Sequence, residues 1–278
     1  MDCHHSRQRL QRPVRTHHTD YRLWARNIDG GLMSLALGID IGGTGIKGAV
    51  VDTGTGELKT ERIKLETPRG GRPDDIAEVV RQLALEIDQT GPLGICLPSV
   101  ITNGISRSAA NISDEWIDYP AQERLQQELQ RELILMNDAD AAGLAEVRFG
   151  AGRGIKGVVL MTTLGTGIGS ALFVDGTLVP NTELGHIEIG GKDYEKVASY
   201  RAKEKYQLSY DRWAKRLQRY YEELEKLFSP DLFVVGGGVS KNHELFLPKI
   251  EIETPMVTAE FKNNAGIIGA AEQAYEKL

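Results

Sequence analysis

"LGIDIGGTGIKGAVVD", residues 37–52, sets an aspartate and a crowd of glycines between two apolar, β-prone runs. A dinucleotide fingerprint would need those glycines to open a helix. Here they lead into "IKGAVVD", which alternates and carries valines, so it reads as strand. A Walker A loop needs Gly-x-x-x-x-Gly-Lys-Ser/Thr, which "GGTGIKGA" does not supply. What remains is a tight hairpin after Asp40. Gly42, Gly43 and Gly45 allow close backbone approach, and their amides can face an anion with no Cβ in the way. Thr44 adds a hydroxyl and Lys47 a cation. Asp40 beside a phosphate is repulsive unless a divalent cation joins them, and Mg²⁺ on phosphate oxygens does so, commonly through water. The bland alternative is a structural hairpin with a solvent-capped aspartate.

The theme returns further on. "GVVLMTTLGTGIGSALFVDGTL" (157–178) is again an apolar strand, a Thr/Gly turn, an apolar strand and an Asp-Gly turn. "TGIKGAVVD" (44–52) lies over "TGIGSALFVD" (166–175) with one residue of slippage, which points to a duplicated βββαβα-type unit. Thr163, Gly165, Thr166 and Gly167 then offer a second phosphate-gripping turn. Between and after the hairpins, the pattern predicts a third strand at 57–67, a helix at 73–90 and a strand at 93–99. The first of these helices turns Ile76, Val79, Val80, Leu83, Leu85 and Ile87 to one face. A helix at 120–132, a strand at 133–138 and a helix at 139–149 follow. Helices at 193–206 and 209–228, a strand at 231–241 and a closing helix at 264–278 complete the reading. Two similar α/β halves facing a shared cleft are the expected result, with ligands beyond the strand ends.

Composition narrows the function classes. The chain has 278 residues, 41% of them hydrophobic, and a net charge of −6 spread along its length, so nothing marks a nucleic-acid or membrane-surface protein. No segment is apolar enough to span a membrane. Two cysteines, Cys3 and Cys96, give neither a disulfide framework nor a zinc set, and a cytoplasmic setting is expected. Residues 1–33 hold His4, His5, His17 and His18 among many arginines, without the apolar core of a signal peptide. They read as a disordered leader, with metal binding the alternative, and Met33 as another possible start.

Two polar constellations stand out. In "NDADAAG" (137–143), Asn137, Asp138 and Asp140 at a helix start are more than an N-cap requires. "TELGHIEIGG" (182–191) spaces Glu183 and His186 three apart, with Glu188 beyond. Such a set suits a metal, or a polyhydroxylated ligand whose every hydroxyl needs a partner, and the lack of nearby cysteines favours the sugar. Phosphate turns facing a hydroxyl-binding cluster, with a carboxylate able to take a proton, describe phosphoryl transfer to an alcohol.

Together "LGIDIGGTGIKGAVVD", "LMNDADAAGLAE", "TTLGTGIGSALFVDG", "ELGHIE" and "VVGGGVS" resemble the ROK family of sugar kinases. "SAANISDEWIDYP" (108–120) and "GHIEIGGKDYEKVASYRAKEK" (185–205) look like its polyphosphate-using actinobacterial glucokinases. The resemblance spans 35–278 and implies an α/β, actin-like ATPase fold of two RNase H-like domains with an interdomain cleft. The domains would be 34–137 and 138–278, the final helix packing back on the first. It also implies Asp138 as general base on the sugar 6-hydroxyl, and Asn111, Asn137, Glu183, His186 and Glu195 as sugar ligands. Asp40 and Thr44 would manage the transferred phosphoryl group and Mg²⁺. Gly165, Thr166 and Gly167 would hold a donor phosphate, and the Gly236, Gly237, Gly238 and Val239 turn a nucleotide, so that ATP serves beside polyphosphate. Many family members carry a Cys-rich zinc stretch after Glu-Leu-Gly-His; this chain has "IEIGGKDYEKVAS" instead, which implies no structural zinc.

Glucose is the implied acceptor, with mannose a variant, and a homodimer the implied assembly. A polyanionic donor needs an extended basic track, for which Lys47, Arg69 and Arg72 on one side and Lys192, Lys196, Arg201, Lys203 and Lys205 on the other are candidates. A strictly ATP-dependent hexose kinase is the alternative. A sugar-responsive transcriptional regulator, as some relatives are, would need an N-terminal helix-turn-helix for which residues 1–33 are too short and too poor in apolar periodicity.

Overall fold

The computed structural model describes residues 34–278; the expected leader lies outside them. Strands β1 (Leu35–Gly42) and β2 (Gly45–Asp52) form the first hairpin, in register from Leu35 opposite Asp52 to Gly42 opposite Gly45. β5 (Leu93–Leu97) and β8 (Ile134–Asn137) extend the sheet in parallel on the far side of β1. On the near side the expected third strand is two short pieces, β3 (Glu57–Leu58) and β4 (Ile63–Leu65), both on β2. The break has a local cause. Lys59 turns to Asp52 and Glu57, and the Thr60 hydroxyl, not a backbone carbonyl, accepts the Val50 N–H at 3.1 Å.

β9 (Val158–Leu164), β10 (Ile168–Val174) and β11 (Thr177–Val179) build the second sheet with β12 (Leu232–Gly236) and β13 (Met256–Thr258). Strand for strand, β3-β2-β1-β5-β8 corresponds to β11-β10-β9-β12-β13, antiparallel and then parallel at the same steps. β13 and a small hairpin, β6 (Ile101–Thr102) with β7 (Ile105–Ser106), were not expected from the pattern, being too short to show a period.

Helices α1 (Pro73–Ile87) and α2 (Ala121–Leu129) cover one face of the first sheet over a core of Leu37, Ile39, Ile76, Val80, Leu83 and Trp116. Leu85, expected on that face, is 66% exposed, because it lies off the stripe that Ile76, Val80, Leu83 and Ile87 define. α6 (Tyr210–Phe228) buries Trp213, Leu217, Tyr220, Tyr221 and Leu224 against the second sheet. The helix expected at 193–206 is two, α4 (Glu195–Ala198) and α5 (Tyr200–Lys205), because the Ser199 hydroxyl accepts the Ala202 N–H and starts a new helix. The strand expected at 231–241 stops at Gly236, where Gly237 turns to φ 84° and a 3-10 segment begins.

Between the sheets lie α3 (Asp138–Phe149) and the last helix, α7 (Ala265–Lys277). One apolar cluster joins Cys96 and Met136 of the first sheet to Met161, Phe173 and Val234 of the second through Ala141, Leu144 and Ala270. The seating is close: a Cβ at Gly38 or Gly94 would run into the carbonyl oxygen of Ile267 or Ala270. α7 is thus held to β1 and β5 by glycines that the strand pattern alone does not explain.

Candidate active site

The α3 N-terminus opens on a cleft of about 640 Å³ between the ends of β5, β8, β9 and β10. Asn111, Asn137, Asp138, Thr163, Gly165, Thr166, Gly167, Glu183, His186, Glu195 and Gly237 line it, so most of the residues singled out in the sequence meet there. They come from segments up to about half the chain apart, which the sheet topology brings to one mouth.

Asn137 ends β8 and caps α3: its amide oxygen accepts the Ala139 and Asp140 N–H groups, and its Nδ2 donates to the Ser99 carbonyl at 3.0 Å. Most of the bonding capacity expected to go to a sugar therefore holds the fold, and Asn137 sets the direction in which Asp138 points. The Asp138 carboxyl is pushed up to about 7, chiefly by burial, with the charges of Asp40 and Glu183 adding to it. Such a group is half ionised near neutrality, the condition for removing a proton from an alcohol. Asp140 is buried too and raised to about 7 by burial, its Oδ2 accepting the Asn181 N–H at 2.8 Å and its Oδ1 left without a partner.

On the opposite wall Glu183 stands in contact with solvent but hemmed by the cleft, and burial raises its carboxyl above the usual range. His186 Nδ1 lies 3.4 Å from both oxygens of Asp193, which also pairs with Lys196 at 2.9 Å. Glu195 reaches across to accept the Ile168 N–H at 2.8 Å, bracing the three-residue turn Gly165–Gly167. That turn closes with the Gly165 N–H donating to the Gly167 carbonyl at 3.0 Å, and Thr166 is exposed at its tip.

The first hairpin is placed differently. Asp40, Gly42, Gly43, Thr44, Gly45 and Lys47 do not line the cleft. Gly43 and Thr44 form an exposed tip that leans on Asn111, so close that a Cβ at Gly43 would meet the Asn111 carbonyl oxygen at 2.6 Å. Asp40 and Lys47, directly opposed across β1 and β2, form an ion pair at 3.0 Å, and Cys96 Sγ lies 3.6 Å from the other Asp40 oxygen. Lys47 is thus engaged with Asp40 instead of standing free for phosphate. Among the described residues, no group of three or more His, Cys, Asp or Glu is placed to hold a metal.

A second cavity of about 400 Å³ adjoins the Gly165–Thr166 turn, lined by Tyr200, Arg201, Glu204, Gly238, Val239, Lys241 and Asn242. Of the glycine turn expected to face a nucleotide, Gly237 meets the cleft and Gly238 and Val239 this cavity. Gly236 lines neither and is buried at the end of β12. Arg201 lines both spaces, and its Nη2 lies 3.4 Å from Asn111 Oδ1. The other basic candidates are largely spoken for: Arg72 pairs with Glu115, Lys196 with Asp193, and Lys203 stands 4.3 Å over the Tyr210 ring. Lys241 and Asn242 were missed because a lone Lys-Asn after a glycine turn carries no pattern.

The ROK family profile matches residues 36–197. A polyphosphate glucokinase of Mycobacterium tuberculosis is 46% identical over 235 residues, 84% of this chain and 89% of that one. The crystal structure of an inorganic polyphosphate/ATP-glucomannokinase from Arthrobacter sp. strain KM is 47% identical, covers 88% of this chain and 99% of its own, and superposes with a TM-score of 0.83. A ROK family glucokinase from Streptomyces griseus, solved with glucose and AMPPNP, is 25% identical over 87% of this chain and 99% of its own, with a TM-score of 0.76. With its two mixed sheets, its glycine-turned hairpins and these relatives, the chain belongs to the ROK family.

Proposed function

We propose that the protein transfers a phosphoryl group from inorganic polyphosphate, and from ATP, to the 6-hydroxyl of glucose, with mannose a second acceptor. The observation that carries this reading is the meeting, in one cleft, of a carboxyl poised near neutrality, a Gly-Thr-Gly hairpin turn and a wall of hydroxyl-binding side chains. Relatives nearly half identical over most of the chain are a polyphosphate glucokinase and a polyphosphate/ATP-glucomannokinase.

In this reading Glu183, His186, Glu195 and Asn111 hold the ring hydroxyls, and mannose differs at the one nearest that wall. Asp138, aimed by the Asn137 cap, accepts the 6-hydroxyl proton as the new oxygen–phosphorus bond forms. The Thr166 and Gly167 amides and Thr163 face the donor phosphates, Arg201 spans the join between the two spaces, and the second cavity takes the rest of the donor. Mg²⁺, when bound with the donor, neutralises phosphate charge. Both Asp40 oxygens already face Lys47 and Cys96, so Asp40 would hold the ion only through water. Each sheet with its helices is taken as one RNase H-like domain, 34–137 and 138–278, of an actin-like fold, with α7 returned to the first. A homodimer in a reducing cytoplasm, without nucleic acid, belongs to the same reading.

Phosphorus NMR of a mixture of protein, Mg²⁺, glucose and nucleotide-free polyphosphate tests it. A phosphomonoester at carbon 6 growing as polyphosphate shortens is the expected result; inorganic phosphate alone would overturn it.

A further inference from the structure

Asp140 and the segment that leads to Glu183 are left over from this account. The segment leaves β11 at Val179 and passes through Asn181, a non-glycine residue at φ 60°, to the 3-10 turn Leu184–His186. It has two anchors. Ser170 of β10 binds it to its own sheet, its hydroxyl accepting the Leu184 N–H at 2.9 Å and donating to the Thr182 carbonyl. Asn181 binds it elsewhere. Its amide oxygen accepts the Ile101 N–H at 2.8 Å, and its Nδ2 donates to the Ile101 carbonyl at 2.8 Å. One side chain thus pairs with the open edge of β6 as a strand residue would, while Asp140 holds the Asn181 N–H at 2.8 Å.

Ile101 continues the segment that carries Asn111. Ser99 and Ser108 tie that segment to itself: the Ser99 hydroxyl donates to the Ser108 carbonyl at 2.6 Å, and the Val100 N–H donates to the Ser108 hydroxyl at 3.0 Å. Asn137, the cap that aims Asp138, donates to the Ser99 carbonyl. These hydrogen bonds, with the short runs of backbone between them, therefore link the Glu183 wall through Asn181 and Ile101 to the segment that carries Asn111 and to the base of α3.

We propose that Asn181, held by Asp140, is a positioning residue of the acceptor site, clasping the Glu183–His186 segment to β6 so that the two sugar-binding walls keep a fixed spacing. The clasp rests on the reading of the cleft as a glucose site. It touches neither donor cavity nor Asp138, so its loss is felt in acceptor binding. Two neutral hydrogen bonds removed from a site that must be prearranged correspond to about a tenfold weaker acceptor.

Asn181→Gly is the clean perturbation, since glycine keeps the left-handed backbone and the N–H to Asp140 and removes the clasp alone. Expected is a glucose KM raised about tenfold, a polyphosphate KM within about twofold of wild type, and a kcat within about threefold. Calorimetric glucose binding on the same protein should weaken in parallel, a readout that needs no turnover. Asp140→Ala should give the same glucose phenotype, and the double variant should be no worse than either single one. An unchanged glucose KM in Asn181→Gly, or equal rises in both KM values, would overturn the proposal. So would additive losses in the double variant. Wild-type protein that binds glucose without phosphorylating it would instead contradict the kinase reading, with the calorimetric comparison still deciding the clasp.

Discussion

Asp138→Asn separates the chemistry from the fold. Burial, with the charges of Asp40 and Glu183, lifts the Asp138 carboxyl from 3.8 to about 7. A carboxyl with a higher pKa folded than unfolded binds its proton more tightly in the native state, so stability falls as pH rises from about 4 through about 7. Above that range the ionised form is a standing destabilisation. A change of that size corresponds to about 4 kcal/mol if undiminished. Because Asp138 opens on the cleft, solvent screening brings the figure to about 2 kcal/mol. Asparagine is neutral, nearly isosteric and still able to accept the Ala139 N–H that Asp138 takes at 2.8 Å. The variant should therefore melt about 4–8 °C above wild type at pH 8.5 and level with it near pH 4. Glucose phosphorylation should fall by at least about a hundredfold. Thermal melts across that pH range, with initial rates on the same preparations, read both effects. A melting difference independent of pH, or unchanged turnover, would refute the reasoning.

Three further outcomes are expected. Wild-type kcat/KM should lose about fivefold between pH 7 and pH 6 as Asp138 takes up its proton, and Asp40→Asn, which removes a like charge beside it, should move that limb to lower pH; a limb that stays put would mean burial alone sets it. Arg201→Gln should raise the polyphosphate KM and flatten its dependence on salt while glucose KM holds, read by kinetics at two ionic strengths. Cys96, fully buried with its thiol pushed up by burial and by Asp40 and Asp138, should resist alkylation at pH 8 until the protein unfolds, followed by mass spectrometry of its peptide.

The two hairpins were legible because strand alternation interrupted by glycine is a local signal, and their repetition announced two sheets of one topology. Asp138, Glu183 and His186 were legible as polar residues crowded where an N-cap or a turn needs only one. What the sequence could not show is partnership. Lys47 looks like a free cation until β1 and β2 place it opposite Asp40. Asn137 is legible as a cap, but not the Ser99 carbonyl that its Nδ2 binds 38 positions away. Asn181 reads as an ordinary turn residue, because Ile101, which it binds, is 80 positions away and belongs to a two-residue strand. Gly38 and Gly94 read as lying inside strands, but nothing in the strand pattern shows why glycine is needed there; α7 presses on them. For Asn181, Gly38 and Gly94 the deciding contact is distant in sequence.

The central claim is tested most directly by initial rates of glucose 6-phosphate formation by the purified protein with Mg²⁺, comparing polyphosphate freed of nucleotide with ATP. The account predicts turnover with both, sustained on polyphosphate with no nucleotide present. Turnover with ATP alone would contradict the donor assignment, and turnover with neither would contradict the kinase itself.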